Sequence, residues 1–306
     1  DAVIIQDLGA AHLLRETLPQ LPLHASTQMA VHNAAGVQFL QQQGFERVVL
    51  ARETSLDNIR QIKVTNDVEL EVFVHGALCV SYSGQCLLSS MIGGRSGNRG
   101  LCAQPCRMKY QLLDDAGNEY KAKDGDYLLS TRDLNMLEHL PELLDAGVTS
   151  LKIEGRMKRP EYVATVIRHY RQAIDAYYAH QKFDCRLAQQ QLLQIFNRDF
   201  TTGYYFNNPG ADLMSYSRPD NRGVFVADIL KTEHKKIWIQ LKSPLSVGDG
   251  YLLYNQYGKE IAGKVQALSI KGKAIPTANT GQIVQMTVSG DAVGSKELYR
   301  TADTFL

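Results

Sequence analysis

Through the first 180 residues, short β-branched runs alternate with stretches of helical periodicity, and this alternation restricts the fold more than any other feature of the chain. The runs lie at 2–7 (AVIIQD), 21–28 (LPLHASTQ), 47–53 (RVVLARE), 70–76 (LEVFVHG) and 150–156 (SLKIEGR), with a weaker one at 127–133 (YLLSTRD). Between them, the spacing of apolar residues predicts helices at 33–44, ended by Gly44, and at 55–63, opened by Ser55 as N-cap. A third helix is predicted at 134–147, ended by Gly147 and interrupted by Pro141. Strand, helix and strand in repetition pack as a parallel sheet with helices against its faces.

Each of these strands ends in polar or ionisable residues: Gln6 and Asp7, Ser26 and Gln28, Arg52 and Glu53, His75, Glu154 and Arg156. In a parallel α/β barrel the C-terminal strand ends converge on one rim, where active sites sit. Charged residues directly after buried strands are costly unless paired, which favours a rim over loops that merely begin there. The expected fold class is therefore α/β, a partial (βα)8 TIM-like barrel. Five good strands are present where closure takes eight, and the chain opens inside a strand, so the front of the barrel is expected to be missing.

Beyond the alternating region, 159–181 predicts a long amphipathic helix with Val163, Val166, Ile167, Tyr170, Ile174 and Tyr177 on its apolar stripe, the tyrosines serving packing. Another helix is predicted at 187–198. From Arg222 onward the texture changes to short alternating strands separated by glycine-rich turns such as Gly248-Asp249-Gly250, the pattern of a small all-β barrel or sandwich. The expected domains are 1–180, the C-terminal part of the barrel; 181–218, a helical connection; and 219–306, the small all-β domain.

With a formal net charge of +1, the chain has no global field of the kind nucleic-acid binders often carry, so an RNA partner would be held by local patches. No run of 18 apolar residues is present and the start carries no basic-then-apolar leader, so a cytoplasmic protein with no membrane contact is expected. The sequence leaves the oligomeric state open.

Four of the five cysteines, Cys79, Cys86, Cys102 and Cys106, fall within 28 positions, with six, fifteen and three residues between successive members. An odd total with four clustered argues against a secreted disulfide framework and for metal or redox chemistry. Four thiolates suffice for a tetrahedral zinc site or for a four-iron cluster. Structural zinc uses tight knuckles of two to four intervening residues in both halves, so the six-residue gap favours an iron-sulfur cluster while leaving zinc, or simply buried thiols, as alternatives. The intervening "GGRSGNRG" adds backbone N–H groups and two cations, Arg95 and Arg99. Cys185 lies apart, as an incidental thiol.

"EVFVHGALCVSYSGQCLLS" resembles the hallmark of the collagenase-like peptidase family U32, Glu-x-Phe-x-x-Gly-(Ser/Ala)-aliphatic-Cys followed by Gly-x-Cys-x-aliphatic-Ser, at Glu71, Phe73, Gly76, Ala77, Leu78, Cys79, Gly84, Cys86, Leu88 and Ser89. "HASTQMAVHN", "RVVLARETSL", "GGRSGNRGLCAQPCR", "SLKIEGRMKRPEYVATV" and "YRTAD" are similar to this family as well. The resemblance implies two kinds of activity. The family is named for collagen degradation, while its RNA branches hydroxylate a 23S rRNA cytidine or a tRNA wobble uridine without oxygen, drawing the hydroxyl from prephenate-dependent metabolism. A ubiquinone branch carries a 4Fe-4S cluster on four cysteines, which by position implies Cys79, Cys86, Cys102 and Cys106 as ligands here. The wording of the motifs resembles the RNA-hydroxylating branches.

The expectation is therefore an iron-sulfur-dependent RNA hydroxylase, with rRNA or tRNA as partner and prephenate as co-substrate. The cluster is expected at the barrel mouth, with Arg52, Arg95, Arg99, Arg156 and Gln28 binding substrate and His75, Glu154 or Glu53 moving protons. A rim ion-pair network is the structural alternative for Arg52, Glu53, Glu154 and Arg156. Local charge density marks Arg107, Lys109, Lys158 and Arg159 as an RNA phosphate track. A peptidase is the first alternative function, weakened by the lack of an HExxH helix and of any local oxyanion hole. A non-catalytic RNA-binding module using Lys231, Lys235, Lys236, Lys264, Lys271 and Lys273 is the second.

Overall fold

A computed structural model describes residues 1–120, 125–206 and 208–306. It divides into two compact units, one of Asp1–Met157, Tyr170–Phe183 and Asp199–Pro219, the other of Lys158–His169, Asp184–Arg198 and Asp220–Leu306.

The first unit is a mixed α/β layer. Its strands and helices run β1 (Val3–Ile5), α1 (Leu8–Thr17), β2 (Leu23–Ala25), α2 (Ala34–Gln42), β3 (Arg47–Val49), α3 (Leu56–Thr65), β4 (Glu69–Ala77), α4 (Leu88–Gly93), the hairpin β5 (Leu112–Leu113) and β6 (Glu119–Tyr120), β7 (Asp133–Asn135), α5 (Leu140–Asp145) and β8 (Ser150–Ile153). Next in the chain come α6 (Pro160–Tyr178), which belongs to the first unit only from Tyr170 onward, α7 (Cys185–Ile195), which belongs to the second, and then β9 (Phe200–Thr201) of the first. Strands β1, β2, β3 and β4 pair in parallel in that order, and β8 joins β4 in parallel. Strand β7 runs antiparallel to the end of β4, with β9 parallel to β7. Among the described residues no strand pairs with the outer edge of β1, so the sheet is open.

Alternation along the strands decides which face is the core. Leu70, Val72 and Val74 of β4 are buried, as are Leu23 and Ala25 of β2, and so are Val37 and Leu40 of α2 and Ile59 and Ile62 of α3. Out-of-phase residues carry charge: Arg47 bonds Glu69, and Glu71 takes hydrogen bonds from Ser150 Oγ and Lys152 Nζ, both at 2.9 Å. Burial alone would raise the Glu71 carboxyl; the Lys152 bond and charge, Ser150 and Arg47 outweigh it and hold it below the usual carboxylate range.

Helix caps follow the sequence closely, with Asn33 and Ser55 accepting from Gly36 N–H and Asn58 N–H. Four local features differ from the sequence expectations. Asp7, expected as a polar strand end, caps α1 by accepting Ala10 N–H at 2.7 Å. Pro141 does not interrupt a helix; it sits in the first turn of α5, where a missing N–H costs nothing. The weak strand expected at 127–133 is a turn closed by Ser130 N–H to Tyr127 O, and β7 begins only at Asp133. On α6 the buried apolar positions are Tyr162, Val166, Tyr170 and Ala173, joined by the polar Thr165 and His169, whereas Ile167, expected on the apolar stripe, is exposed.

The second unit is all-β apart from its helical pieces. Its strands are β10 (Val224–Glu233), β11 (Lys236–Leu241), β12 (Leu245–Ser246), β13 (Gly250–Tyr254), β14 (Glu260–Lys264), β15 (Leu268–Ile270), β16 (Lys273–Ile275), β17 (Thr277–Ala278), β18 (Ile283–Thr287) and β19 (Glu297–Ala302). Eight form one sheet in the order β14-β13-β19-β10-β11-β18-β15-β16, every pairing antiparallel, while β12 and β17 form a separate ribbon. Ile237, Ile239 and Leu241 of β11 point into a core shared with Val226, Tyr251, Val284, Met286 and Leu298. On the opposite face Lys231 pairs with Glu233 and lies over the Trp238 ring. The buried Asp249 carboxylate accepts from Ser246 N–H, Thr304 N–H and Thr304 Oγ, and Arg300 reaches it at 3.8 Å, which ties the chain end to the Gly248-Asp249-Gly250 turn.

Candidate metal centre

The site grows from the end of β4. Pairing between β4 and β8 slips by one residue between Phe73 and His75, which carries the strand end past Glu154, and Glu154 N–H bonds His75 O at 2.8 Å. Gly76 sits at φ +106, and a Cβ there would lie 2.1 Å from Glu154 O, so only glycine allows this approach. The next residues are Leu78 and Cys79. Leu78 O accepts from Thr131 Oγ at 2.6 Å and from Arg107 Nη2 at 3.0 Å. The same guanidinium donates to Ser130 Oγ, Thr131 O and Thr131 Oγ, so the residue after Cys106 is fastened to the residue before Cys79.

Between Cys79 and Cys86 the fully buried Ser83 is the fixing point. Its N–H and hydroxyl donate to the Glu53 carboxylate, and its oxygen accepts from Arg52 N–H at 3.1 Å and Arg52 Nε at 3.2 Å. Arg52 Nη2 also reaches Ser81 O. Gly84, at φ +73, presses against Gln28: a Cβ there would stand 2.3 Å from Gln28 O. Asn98 Nδ2 donates to Gly84 O at 2.9 Å, and Ala103 N–H donates to Ser89 Oγ at 2.9 Å, which folds the second half of the segment onto the first. Gly100 lies against the Arg156 guanidinium, whose backbone N–H bonds Glu154 Oε1. Gln104 N–H donates to Cys102 Sγ at 3.3 Å.

These anchors bring four thiols into one neighbourhood. Burial pushes the Cys106 thiol up; Arg107 opposes, and Cys79, Cys102 and Cys86 all lie within electrostatic range and raise it further. All five cysteines are free, Cys102 exposed and the other four half-buried. Among the described residues no three His, Cys, Asp or Glu side chains close around one point as ligands of a single ion. The donor set still fits a sulfur-ligated group, since four thiols share one electrostatic environment and one sulfur already accepts a backbone N–H.

The structure gathers Arg52, Glu53, Gln28, Glu154 and Arg156 against the cysteine segment, each in contact with it or with its anchors. Arg95 is exposed, with Nε on Leu101 O, and Arg99 is exposed at the end of the Gly97–Arg99 turn. His75 is only 2% exposed and is enclosed edge-on by Tyr170 and Phe200, with Nδ1 3.5 Å from the Tyr170 hydroxyl. Tyr170 in turn donates to Val74 O and accepts Met136 N–H. Arg107, expected on a phosphate track, has its fork on internal oxygens. Lys109 pairs with Asp126, and Lys158 and Arg159 belong to the second unit.

Ser83, Asn98 and Thr131 escaped the sequence reading, because their partners are far along the chain. So did Tyr204. Burial raises its phenol first, Tyr82, Glu53 and Cys79 add to that, and Arg52 opposes. The one local signal was Gly203, which at φ +59 makes the turn that presents it.

Among the described residues no helix is long and apolar enough to cross a membrane. The sequence model of Peptidase family U32 matches residues 1–215. The chain is similar to the 23S rRNA 5-hydroxycytidine C2501 synthase of Escherichia coli, 38% identical over 82% of this chain and 39% of that protein. It is similar to tRNA hydroxylation protein P1 of Bacillus subtilis, 41% identical over 68% of this chain and 51% of that protein. It also resembles a protein named Collagenase from Porphyromonas gingivalis, 32% identical over 98% of this chain and 76% of that protein. The chain spans about half or less of the first two relatives. A family match across residues 1–215, together with these identities, places the chain in peptidase family U32.

Proposed function

We propose that the chain takes part in the oxygen-independent hydroxylation of an RNA base, a 23S rRNA cytidine or a tRNA wobble uridine, with a 4Fe-4S cluster on Cys79, Cys86, Cys102 and Cys106 and a hydroxyl drawn from prephenate. The observation that carries this reading is the meeting of four thiols around Cys106 beside the strand-end groups Arg52, Glu53, Glu154 and Arg156. A single tetrahedral zinc would need its sulfurs about 3.8 Å apart, from Zn–S bonds near 2.3 Å. The six-residue gap between Cys79 and Cys86 is wider than the two to four residues of a structural zinc knuckle, which supports the cluster over zinc. The names of the two RNA-hydroxylation relatives, at 38% and 41% identity, support RNA as the substrate class.

When bound, such a cluster supplies electron transfer. Arg52 and Arg156 bind carboxylate groups of the co-substrate, with Arg95, Arg99 and Gln28 at the margin. Glu154, at the strand end, is the group that moves a proton, and the enclosed His75 holds the wall behind it. Glu53 keeps the ligand segment seated through Ser83. The same reading takes the parallel run β1-β2-β3-β4-β8 as an arc of a (βα)8 barrel and the protein as cytoplasmic.

Anaerobic purification followed by iron and sulfide analysis tests the cluster: about four irons per chain are expected, and stoichiometric zinc or no metal rejects it. Nucleoside mass spectrometry of rRNA and tRNA from a deletion strain tests the reaction, with loss of one hydroxylated base expected. Unchanged nucleosides together with gelatin cleavage by the purified protein would favour instead the activity for which the Porphyromonas relative is named.

A further inference from the structure

The segment that follows β9 enters the neighbourhood of the cysteines from a distant part of the chain. Gly203 N–H bonds Thr201 Oγ at 3.1 Å, and a Cβ at Gly203 would stand 3.3 Å from Leu134 and 3.7 Å from Leu78, the residue before Cys79. Tyr205 nails the turn down from the other side: its buried hydroxyl donates to Phe73 O of β4 at 2.6 Å, and its carbonyl accepts Leu56 N–H at the start of α3 at 2.8 Å. Leu56 is three residues beyond Glu53. Tyr204 is therefore held between the Arg52-Glu53 pair and the end of β4 by anchors on both neighbours, and none of those anchors involves its own ring.

Its surroundings are also distinctive. Tyr204 is half-buried, and Tyr82, Glu53, Arg52 and Cys79 are the charged or ionisable groups within its electrostatic range. Among the described residues its hydroxyl makes no hydrogen bond. Tyr82, on the loop between Cys79 and Cys86, is 71% exposed. The Arg52 guanidinium bonds Ser83 Oγ and Ser81 O on either side of Tyr82, so the exposed Tyr82 and the half-buried Tyr204 share that cation at the approach to Cys79. Aromatic rings in such a position stack on the π-face of a flat ligand, and the neighbouring cation suits the carbonyl-rich edge of a pyrimidine.

We propose that Tyr204 and Tyr82 form a stacking platform that receives one unpaired pyrimidine base of RNA beside Cys79. The proposal rests on the RNA-base reading above and adds the residues that hold the base. Stacking needs the ring and not the hydroxyl, and an unpaired base because a paired one has both faces covered.

The test uses the full chain prepared anaerobically and a fluorescein-labelled, pyrimidine-rich single-stranded RNA oligonucleotide, with binding followed by anisotropy. Tyr204→Leu is expected to weaken binding on the order of tenfold, the usual effect of removing one base-stacking ring, while Tyr204→Phe stays within about twofold of the parent. Tyr82→Leu, at an exposed position that packing does not depend on, is expected to weaken binding in the same direction and decides the matter if Tyr204→Leu does not fold. Parent protein that binds the oligonucleotide with unchanged affinity in both leucine variants overturns the platform and leaves the RNA reading standing. Equal losses in Tyr204→Phe and Tyr204→Leu assign the effect to the hydroxyl and also overturn it. Parent protein that does not bind the oligonucleotide at all overturns the RNA reading, and the platform with it.

Discussion

Arg107 shows how a single side chain can fasten the two ends of the cysteine segment together. Its guanidinium donates to Ser130 Oγ, Thr131 O, Thr131 Oγ and Leu78 O, and the planar fork is what reaches them all. Arg107→Lys keeps the charge but loses the fork, so carbonyls of Leu78 and Thr131 lose donors. A loss of roughly 1–3 kcal/mol in urea unfolding is expected, and an unchanged midpoint would show that the fork contributes nothing. In the sequence the same residue reads as a surface cation, because charge is legible in one dimension and its partners are not. Glu53 and Arg52 were legible as strand-end charges, but their engagement with Ser83 required the fold. Tyr204 was not legible at all, since only the turn at Gly203 and the anchoring of Tyr205 bring it to Cys79.

Strand β4 is the element on which the site depends. Its buried side carries Leu70, Val72 and Val74, and its end is free to turn towards β8 only because Gly76 has no side chain. Gly76→Ala combines a left-handed φ of +106 with a Cβ 2.1 Å from a backbone oxygen. The expected cost is roughly 3 kcal/mol or more, read as a fall in the unfolding midpoint together with faster hydrogen exchange at Glu154 N–H. Retention of both would contradict the close approach. At this scale the sequence was most informative where a side chain caps a helix, as at Ser55, because a cap is a local interaction. It misled where one residue type has two uses: Pro141 starts a helix as readily as it breaks one, and Asp7, which reads as a polar strand end, caps α1 two residues beyond β1.

Across the whole first unit, one ionic network spans three strands: Arg47 of β3, Glu69 and Glu71 of β4, and Ser150 and Lys152 of β8. Glu71 carries the pH dependence. Its carboxyl is held below the ordinary value of 4.5, so the unfolded chain binds the proton more readily than the folded one in that window. The stability it contributes is complete above about pH 4.5 and is lost as the pH falls through the depressed folded value. Denaturant unfolding should therefore weaken with acid in that range, and Glu71→Gln should flatten the dependence while costing about 2 kcal/mol at neutral pH. A slope unchanged by the substitution would remove Glu71 from the account.

The strand-and-helix alternation made the mixed α/β layer legible in advance, whereas the way residues 79–106 are seated was not, and that seating has a consequence for how the protein is made. The first fixing points, Gln28 and Glu53, precede the thiols in the chain, but Thr131, Glu154 and Arg156 come after them. On the ribosome the four sulfurs emerge before the groups that will hold them in register. For the time it takes to synthesise the next fifty or so residues, they belong to a nascent segment whose thiols are open to oxidation.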